Sequence, residues 1–228
     1  FKNTLLLNFK YLIISFPLTL IFALLLNEVK NVHFKKIVQT ISYLPHFISM
    51  VIVAGMVREI LSTSGPINNL ITKLGGEAIT FISLPEWFTI FVTTGVWQGL
   101  GWGTILYLAA MSGINTELYE AAELDGANRF QQCLHVTIPA ILPTISTLLV
   151  LNIGSLCGSA AFEKVFLLYT PTTYETADII ATYVYRMGLG SGNYSYATAV
   201  GLFQGVINLV LLTVANKVSS WLTGSGLW

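Results

Sequence analysis

Charged side chains are scarce in this chain: only 10% of its 228 residues are Asp, Glu, Lys or Arg, against 54% that are hydrophobic. The eleven basic and eleven acidic residues cancel to a formal net charge of zero. Bulk electrostatics therefore gives no hold on nucleic acid or on another polyanion. Cysteine is scarcer still. Cys133 stands in a polar stretch and Cys157 in an apolar run, without metal-ligand spacing, so neither a metal site nor a disulfide is expected and two free thiols are. No Gly-x-x-x-x-Gly-Lys-Ser/Thr run occurs, which excludes ATP binding by that route and leaves the chain with no cofactor of its own. No series of acids lies inside an apolar run, as proton coupling would require. The chain opens on Phe1, with no basic segment leading to a small-residue cleavage site. It reads as a membrane domain with a helix expected upstream, not as a signal peptide ahead of a soluble body.

What is abundant is apolar length. A mean hydropathy of +0.71 exceeds that of ordinary soluble domains and points to an integral membrane protein. Five runs suit helices crossing roughly 30 Å of hydrocarbon: 5–26, 37–57, 87–111, 138–160 and 196–218. The first holds Lys10, able to snorkel, and Pro17; the second holds Pro45 between Tyr43 and His46. Prolines inside membrane helices mark kinks more often than breaks. His46 is a candidate for function or, with no carboxylate near in sequence, for helix packing. Small-xxx-small pairs at Gly99/Gly103, Gly154/Gly158 and Gly201/Gly205 suit close helix approach. Gly99, Gly101 and Gly103 follow no strand and precede no Lys-Ser/Thr, so they do not read as a phosphate loop.

Between the runs, 58–86 reads as an extramembrane cap with one short interfacial helix. The segment 161–195, rich in Tyr, Thr and Gly, reads as a water-facing loop that touches a partner or substrate, with Glu163 and Lys164 as a neutralised boundary pair or equally as simple boundary anchors, and Asn193-Tyr194-Ser195 as a chance sequon. Lys30, Lys35, Lys36, Arg129 and Lys217 fall on one side of the membrane; Lys2, Arg58, Lys73, Lys164 and Arg186 fall on the other. Their number does not decide orientation. The density of Lys30, Lys35 and Lys36 in a short loop places that loop in the cytoplasm and the N-terminal end outside.

One polar interruption stands out, Asn115 to Pro143. Glu117, Glu120, Glu123 and Asp125 gather there and Gly126 follows at once. Asn115 or Thr116 can cap a helix start, Glu117 complements its dipole, and Gly126 permits a bend into a second helix. Leu118, Ala121, Ala122 and Asp125 share one face of it. The segments Glu120-Ala121-Ala122, Asp125-Gly126-Ala127, Arg129-Phe130-Gln131 and His135-Val136-Thr137-Ile138-Pro139, with Pro143, resemble the EAA loop of binding-protein-dependent ABC importer permeases. Phe130 and Cys133 depart from the residues more usual there. The resemblance is weaker at Asn3-Thr4-Leu5 and near the C-terminus. The run Tyr194 to Leu202 and the terminal Gly226-Leu227-Trp228 are most similar to the branch that imports aldouronates, polygalacturonate fragments and related sugars.

The resemblance implies an all-α polytopic membrane protein: five transmembrane helices in this chain of a six-helix type I ABC importer permease domain, with a cytoplasmic coupling helix in loop 115–137. It implies a multi-pass protein of the bacterial cytoplasmic membrane. It further implies a second homologous permease in a heterodimer, two ATPase subunits carrying ATP and Mg, and an external substrate-binding lipoprotein, with lipid around the spans. Glu120, Ala121, Ala122, Asp125, Gly126, Ala127 and Arg129 would form the ATPase contact. A sugar path needs rings for apolar sugar faces and amides or hydroxyls for the rest. Trp97, Gln98, Trp102, Tyr107, Asn152, Gln204 and Asn208 are the candidates for it, although belts and interhelical bonds use the same residue types. Two rivals are an ion-coupled secondary transporter and a membrane-embedded phosphotransferase. The first would want ionisable groups better placed than Lys10, His46 and Glu163. The second would want an aspartate pair downstream of Asp125-Gly126, where Asp178 stands alone.

Overall fold

A computed structural model describes residues 1–82, 84–224 and 226–227, so Trp228 of the C-terminal resemblance lies outside the described residues. Every regular element among them is helical. Helix α1 (Lys2–Glu28) runs through Pro17 without a break. Then come α2 (Val32–Tyr43) and its 3₁₀ extension Leu44–Phe47, α3 (Met50–Ile60) and the short α4 (Pro66–Lys73). Helix α5 (Leu84–Ser112) precedes α6 (Thr116–Leu124), α7 (Arg129–Ala140) and α8 (Leu142–Gly154). The short α9 (Phe162–Leu168), α10 (Tyr174–Ala177) and α11 (Ile180–Tyr185) lead to α12 (Tyr194–Thr223).

Helix α5 is the central post. Trp87, Phe91 and Val92 meet Leu7 of α1, Val165 of α9 and Ile179; Ile90 meets Val53 and Ala54 of α3; Tyr107 and Met111 meet Ala23 of α1 and Ile141. Three apolar clusters are thus strung along one helix, and burial of such side chains contributes about 1.5–3 kcal/mol each when complete. Uncharged from Trp87 to Ser112, α5 has a length of about 44 Å at 1.5 Å per residue. Among the described residues, α1 and α12 are the two unbroken helices long and apolar enough to cross a membrane.

Two expected spans are bent. The run 37–57 forms two helices that meet at 96°, and Arg129–Ala140 meets Leu142–Gly154 at 64°. At the first bend, Ile48 and Ser49 are extended and the Ser49 hydroxyl caps α3. The Ile48 carbonyl, lost to the helix ladder, accepts from Gln98 Nε2 at 2.9 Å. At the second, a π-helical turn over Cys133–Thr137 precedes Pro139, and Pro143 opens α8. Proline lacks the N–H and crowds the preceding turn, so a bend there has a local cause. The fourth run therefore begins well before 138 and ends at Gly154, short of 160.

The segment 161–195 is not a water-facing loop. It folds as α9 to α11, and Val165, Leu168, Ala177 and Ile179 are buried in the core. Its tyrosines and threonines hid that because short helices give no long period. The start of α1 holds this segment: Asn3 Nδ2 donates to the carbonyls of Glu175 and Asp178, and buried Thr4 accepts from the Ile180 N–H at 2.9 Å. The cap over 58–86 does contain one short helix, α4, whose buried Asn68 ties Ser62 to Ile79.

Close helix approach occurs at some of the glycines expected to serve it. A Cβ on Gly103 would stand 2.8 Å from Thr19 Cγ2, and one on Gly154 would meet the Leu212 side chain. Gly99 has only ordinary contact with Tyr11. Gly201 and Gly205 have nothing within 4 Å, so the third pair packs nothing inside this chain. The face of α12 around them, with Leu202, Phe203, Val206 and Leu209, is exposed.

Candidate functional site

The polar stretch folds as a capped helix, a bend and a second helix. Asn115 Oδ1 accepts from the Glu117 N–H at 3.0 Å, closing the start of α6. At its end Ala127 N–H donates to Ala122 and Gly126 N–H to Glu123, while Gly126 sits at φ +80°. That pair of bonds around a left-handed glycine satisfies carbonyls the helix would leave bare. Asn128 and Gln131 then exchange bonds that cap α7.

No residue of α6 is buried. Glu120, Ala121, Asp125, Gly126 and Arg129 are exposed, and Ala122 and Ala127 half-buried. Leu118, Leu124 and Phe130 stand 52%, 90% and 70% exposed, an apolar set with no partner in this chain. The helix is nevertheless tied down on its other side. Tyr119 Oη lies 2.9 Å from Thr137 Oγ1, and buried Gln132 donates to the Ala127 carbonyl at 3.1 Å. These bonds join the α6 stretch to α7, which continues across the bend into α8. Tyr119, Gln132 and Thr137 were not singled out from the sequence, although their place inside the motif was the available signal.

Within the bundle, a cavity of about 480 Å³ lies between α1, α5 and α8, lined by Tyr11, Thr19, Gly99, Trp102, Tyr107 and Asn152 among others. Of the candidate path residues it gathers Trp102, Tyr107 and Asn152. The remaining four stand elsewhere. Trp97 faces a groove beside Val38, Ile41 and Pro45. Gln98 closes the bend at Ile48. Asn208 accepts from the Cys157 N–H at 3.0 Å, and Gln204 donates to the Cys157 carbonyl, so both hold the chain just after α8 ends. Half-buried amides next to broken backbone bind to it because the bend leaves those backbone groups without a helical partner. His46 stacks on Trp102, 4.5 Å between centroids and 2° from parallel, and so packs against a residue of the cavity lining without being part of that lining.

A second cavity of about 260 Å³ shares Tyr11 and Asn152 with the first and adds Asn8, Phe91, Ser155 and Lys164. Glu163 and Lys164 do not pair. Glu163 is exposed, while Lys164 Nζ lies 4.4 Å and 4.0 Å from the ring centroids of Tyr11 and Phe91. Adjacent residues on a helix point about 100° apart, so a pairing read from adjacency fails for geometric reasons. The ion pair present among the described residues is Arg186–Asp178 at 2.7 Å, joined by two hydrogen bonds. Those bonds, with the carboxylate's charge, push the guanidinium above its already high value. Cys133 is half-buried and Cys157 buried, both as free thiols.

Comparison with known proteins agrees with this layout. Residues 5–223 match the family described as binding-protein-dependent transport system inner membrane component. The polygalacturonan/rhamnogalacturonan transport system permease protein YteP of Bacillus subtilis is 44% identical, covering 100% of this chain and 71% of that protein. The arabinooligosaccharides transport system permease protein AraP of the same organism is 29% identical over 98% of this chain and 72% of its own length. A chain of a bacterial alginate ABC transporter, solved in complex with an alginate-pentasaccharide-bound periplasmic protein, superimposes with a TM-score of 0.94. It is 46% identical and covers 100% of this chain and 79% of that chain. The secondary-carrier and phosphotransferase readings are thereby set aside. This chain belongs to the family of inner membrane components of binding-protein-dependent transport systems, as a multi-pass ABC importer permease.

Proposed function

We propose that the chain forms one half of the membrane path of an oligosaccharide importer and that α6 is the coupling helix, seated in an ATPase subunit on the cytoplasmic side. The observation that carries this is the exposed, unpartnered apolar set Leu118, Leu124 and Phe130 on a helix capped at both ends and bonded to α7. Ala121 and Ala122 let a groove approach the helix closely, Glu120, Asp125 and Arg129 supply polar contacts at the rim, and Gly126 with Ala127 sets the bend. ATP and Mg belong to the partner ATPases. Their closure on ATP would move α6, α7 would pass the motion to the 64° bend, and the cavity walls on α8 would shift against α5 and α1. Such a cycle requires only that ATP favour one of two conformations.

The remaining partners are a second homologous permease, a second ATPase and an external binding lipoprotein that delivers substrate. The exposed face of α12 suits the second permease or lipid. Trp102, Tyr107 and Asn152 combine stacking surface with one amide, a lining that fits sugar rings. Support for oligosaccharide over other solutes comes from the relatives named for polygalacturonan, arabinooligosaccharides and alginate.

Co-expression with the neighbouring genes tests this reading. An ATPase and a second permease are expected to co-purify, and the reconstituted complex is expected to hydrolyse ATP when loaded binding protein is present. Gly126→Pro forces φ near −65° where the chain holds +80°, and should lower that stimulated hydrolysis by about tenfold or more, since loss of about 1.4 kcal/mol is tenfold. Unchanged hydrolysis in an assembled Gly126→Pro complex defeats the coupling assignment.

A further inference from the structure

Lys164 is the one lysine that turns inward to the cavity shared with α1 and α8. Its ammonium rests over two rings, and among the described residues no carboxylate pairs with it and no hydrogen bond holds it. A cation withdrawn from water is costly unless an opposite charge or donors and acceptors compensate. Two ring faces supply part of that compensation. The space for the side chain is built in: a Cβ on Gly95 would collide with Lys164 Nζ and with the Tyr11 ring. Around it the cavity is lined by Asn8, Asn152, Tyr11 and Ser155; both amide nitrogens and the Ser155 hydroxyl donate to the carbonyls of Leu156, Leu148 and Asn152, so further contacts there would fall to the amide oxygens and second amide hydrogens. The same Tyr11 and Asn152 line the larger cavity against Trp102 and Tyr107.

We propose that Lys164 is an anion-recognition residue within the membrane path, receiving a carboxylate of an acidic oligosaccharide. The class of ligand follows from the lining. A lone ammonium calls for an anion, while the neighbouring amides, hydroxyls and rings suit the rest of a sugar unit, so a uronic acid residue satisfies both where a neutral sugar leaves the charge unmatched. The rings also keep the contact weak enough for release. A path must bind well enough to admit its solute and loosely enough to pass it on, and an ammonium already in contact with Tyr11 and Phe91 is attenuated as an anion trap. This inference rests on the reading of the chain as an oligosaccharide permease.

The test uses the complete importer in proteoliposomes with its binding protein. The labelled probes are trigalacturonate and trimannuronate, each beside its methyl ester, which removes the charge and adds one methyl per carboxyl. Lys164→Met is expected to reduce uptake of the acids by about tenfold, the size of one lost charge-assisted contact, and that of any transported ester by less than about twofold. Lys164→Arg should retain most acid uptake. Equal loss for acid and ester, or no loss for either, overturns the anion role while leaving the sugar reading intact. If neither Lys164→Met nor Lys164→Gln assembles while Lys164→Arg does, the charge is structural and the proposal falls. A wild-type complex that carries neither acids nor esters sinks the oligosaccharide reading, and this one with it.

Discussion

The α6 stretch, proposed as the coupling element, and the inner cavity are organised in opposite ways. The first is held by bonds between residues a few positions apart: Asn115 to Glu117, Ala122 to Ala127, Asn128 to Gln131. The second is assembled from Asn8, Tyr11, Asn152 and Lys164, which share walls only because α1, α8 and α9 converge on α5. The first is exposed and lacks a partner in this chain; the second lies between helices and lacks a counter-charge. A region whose shape is local can move as a piece, whereas a region whose shape is tertiary changes whenever its helices do. That is the division the proposed coupling would need between a lever and a gate.

Two glycines separate the regions most sharply. At Gly126 a Cβ would meet nothing within 4 Å, but the backbone is left-handed. At Gly101 the difficulty is the reverse, since a Cβ would collide with the Ser42 backbone carbonyl of α2. Gly101→Val should therefore destabilise the whole bundle, by about 1–3 kcal/mol or more for an overpacked contact against backbone. Gly126→Ala should cost about 1–2 kcal/mol of local strain at an exposed bend, leaving the melting temperature of the purified complex nearly unchanged while coupled ATP hydrolysis falls. If both lower the melting temperature alike, the coupling stretch is not the separate piece described.

A smaller effect is expected from Asn208→Ala. It leaves the Cys157 N–H without the acceptor it has in the structure, and an orphaned buried donor costs about 1–3 kcal/mol. Thermal unfolding should register that loss, while the KM for transported sugar should stay within about twofold, because the amide faces backbone and not the cavity. A large KM change with unaltered stability would return Asn208 to the path.

The same contrast explains what was legible in the sequence. Glu120 to Arg129 could be read because caps, bend and exposed face depend on spacing along one segment. The cavity was only half legible: Trp102, Tyr107 and Asn152 were picked by residue type, and so were Gln98, Gln204 and Asn208, which instead close broken backbone at Ile48 and Cys157. Residue type cannot distinguish an amide that lines a cavity from one that closes a bent helix. Lys164 was misread for a related reason, since adjacency to Glu163 suggested a partner that the helix turns away. Nothing in 161–195 announced a core segment, because its buried Val165, Leu168, Ala177 and Ile179 are spread over helices too short to show a period.

The smallest change concerns the joint between the lever and the rest. Tyr119 Oη and Thr137 Oγ1 form the side-chain bond from α6 to α7, and Thr137 is buried at 1% exposure. Tyr119→Phe removes one hydroxyl and keeps the ring, so stability should fall by only about 1 kcal/mol. Position in the mechanism makes that small loss visible elsewhere. If motion of α6 reaches α8 through this bond, the variant should still hydrolyse ATP in response to loaded binding protein but move less sugar per ATP, by about two- to fivefold, the factor corresponding to up to 1 kcal/mol. Thr137→Val should do the same, and the double variant should be no worse than either single one, since both delete one interaction. Additive losses, or an unchanged ratio of transport to hydrolysis, would mean that the lever reaches the gate through the backbone of the Gly126 bend instead.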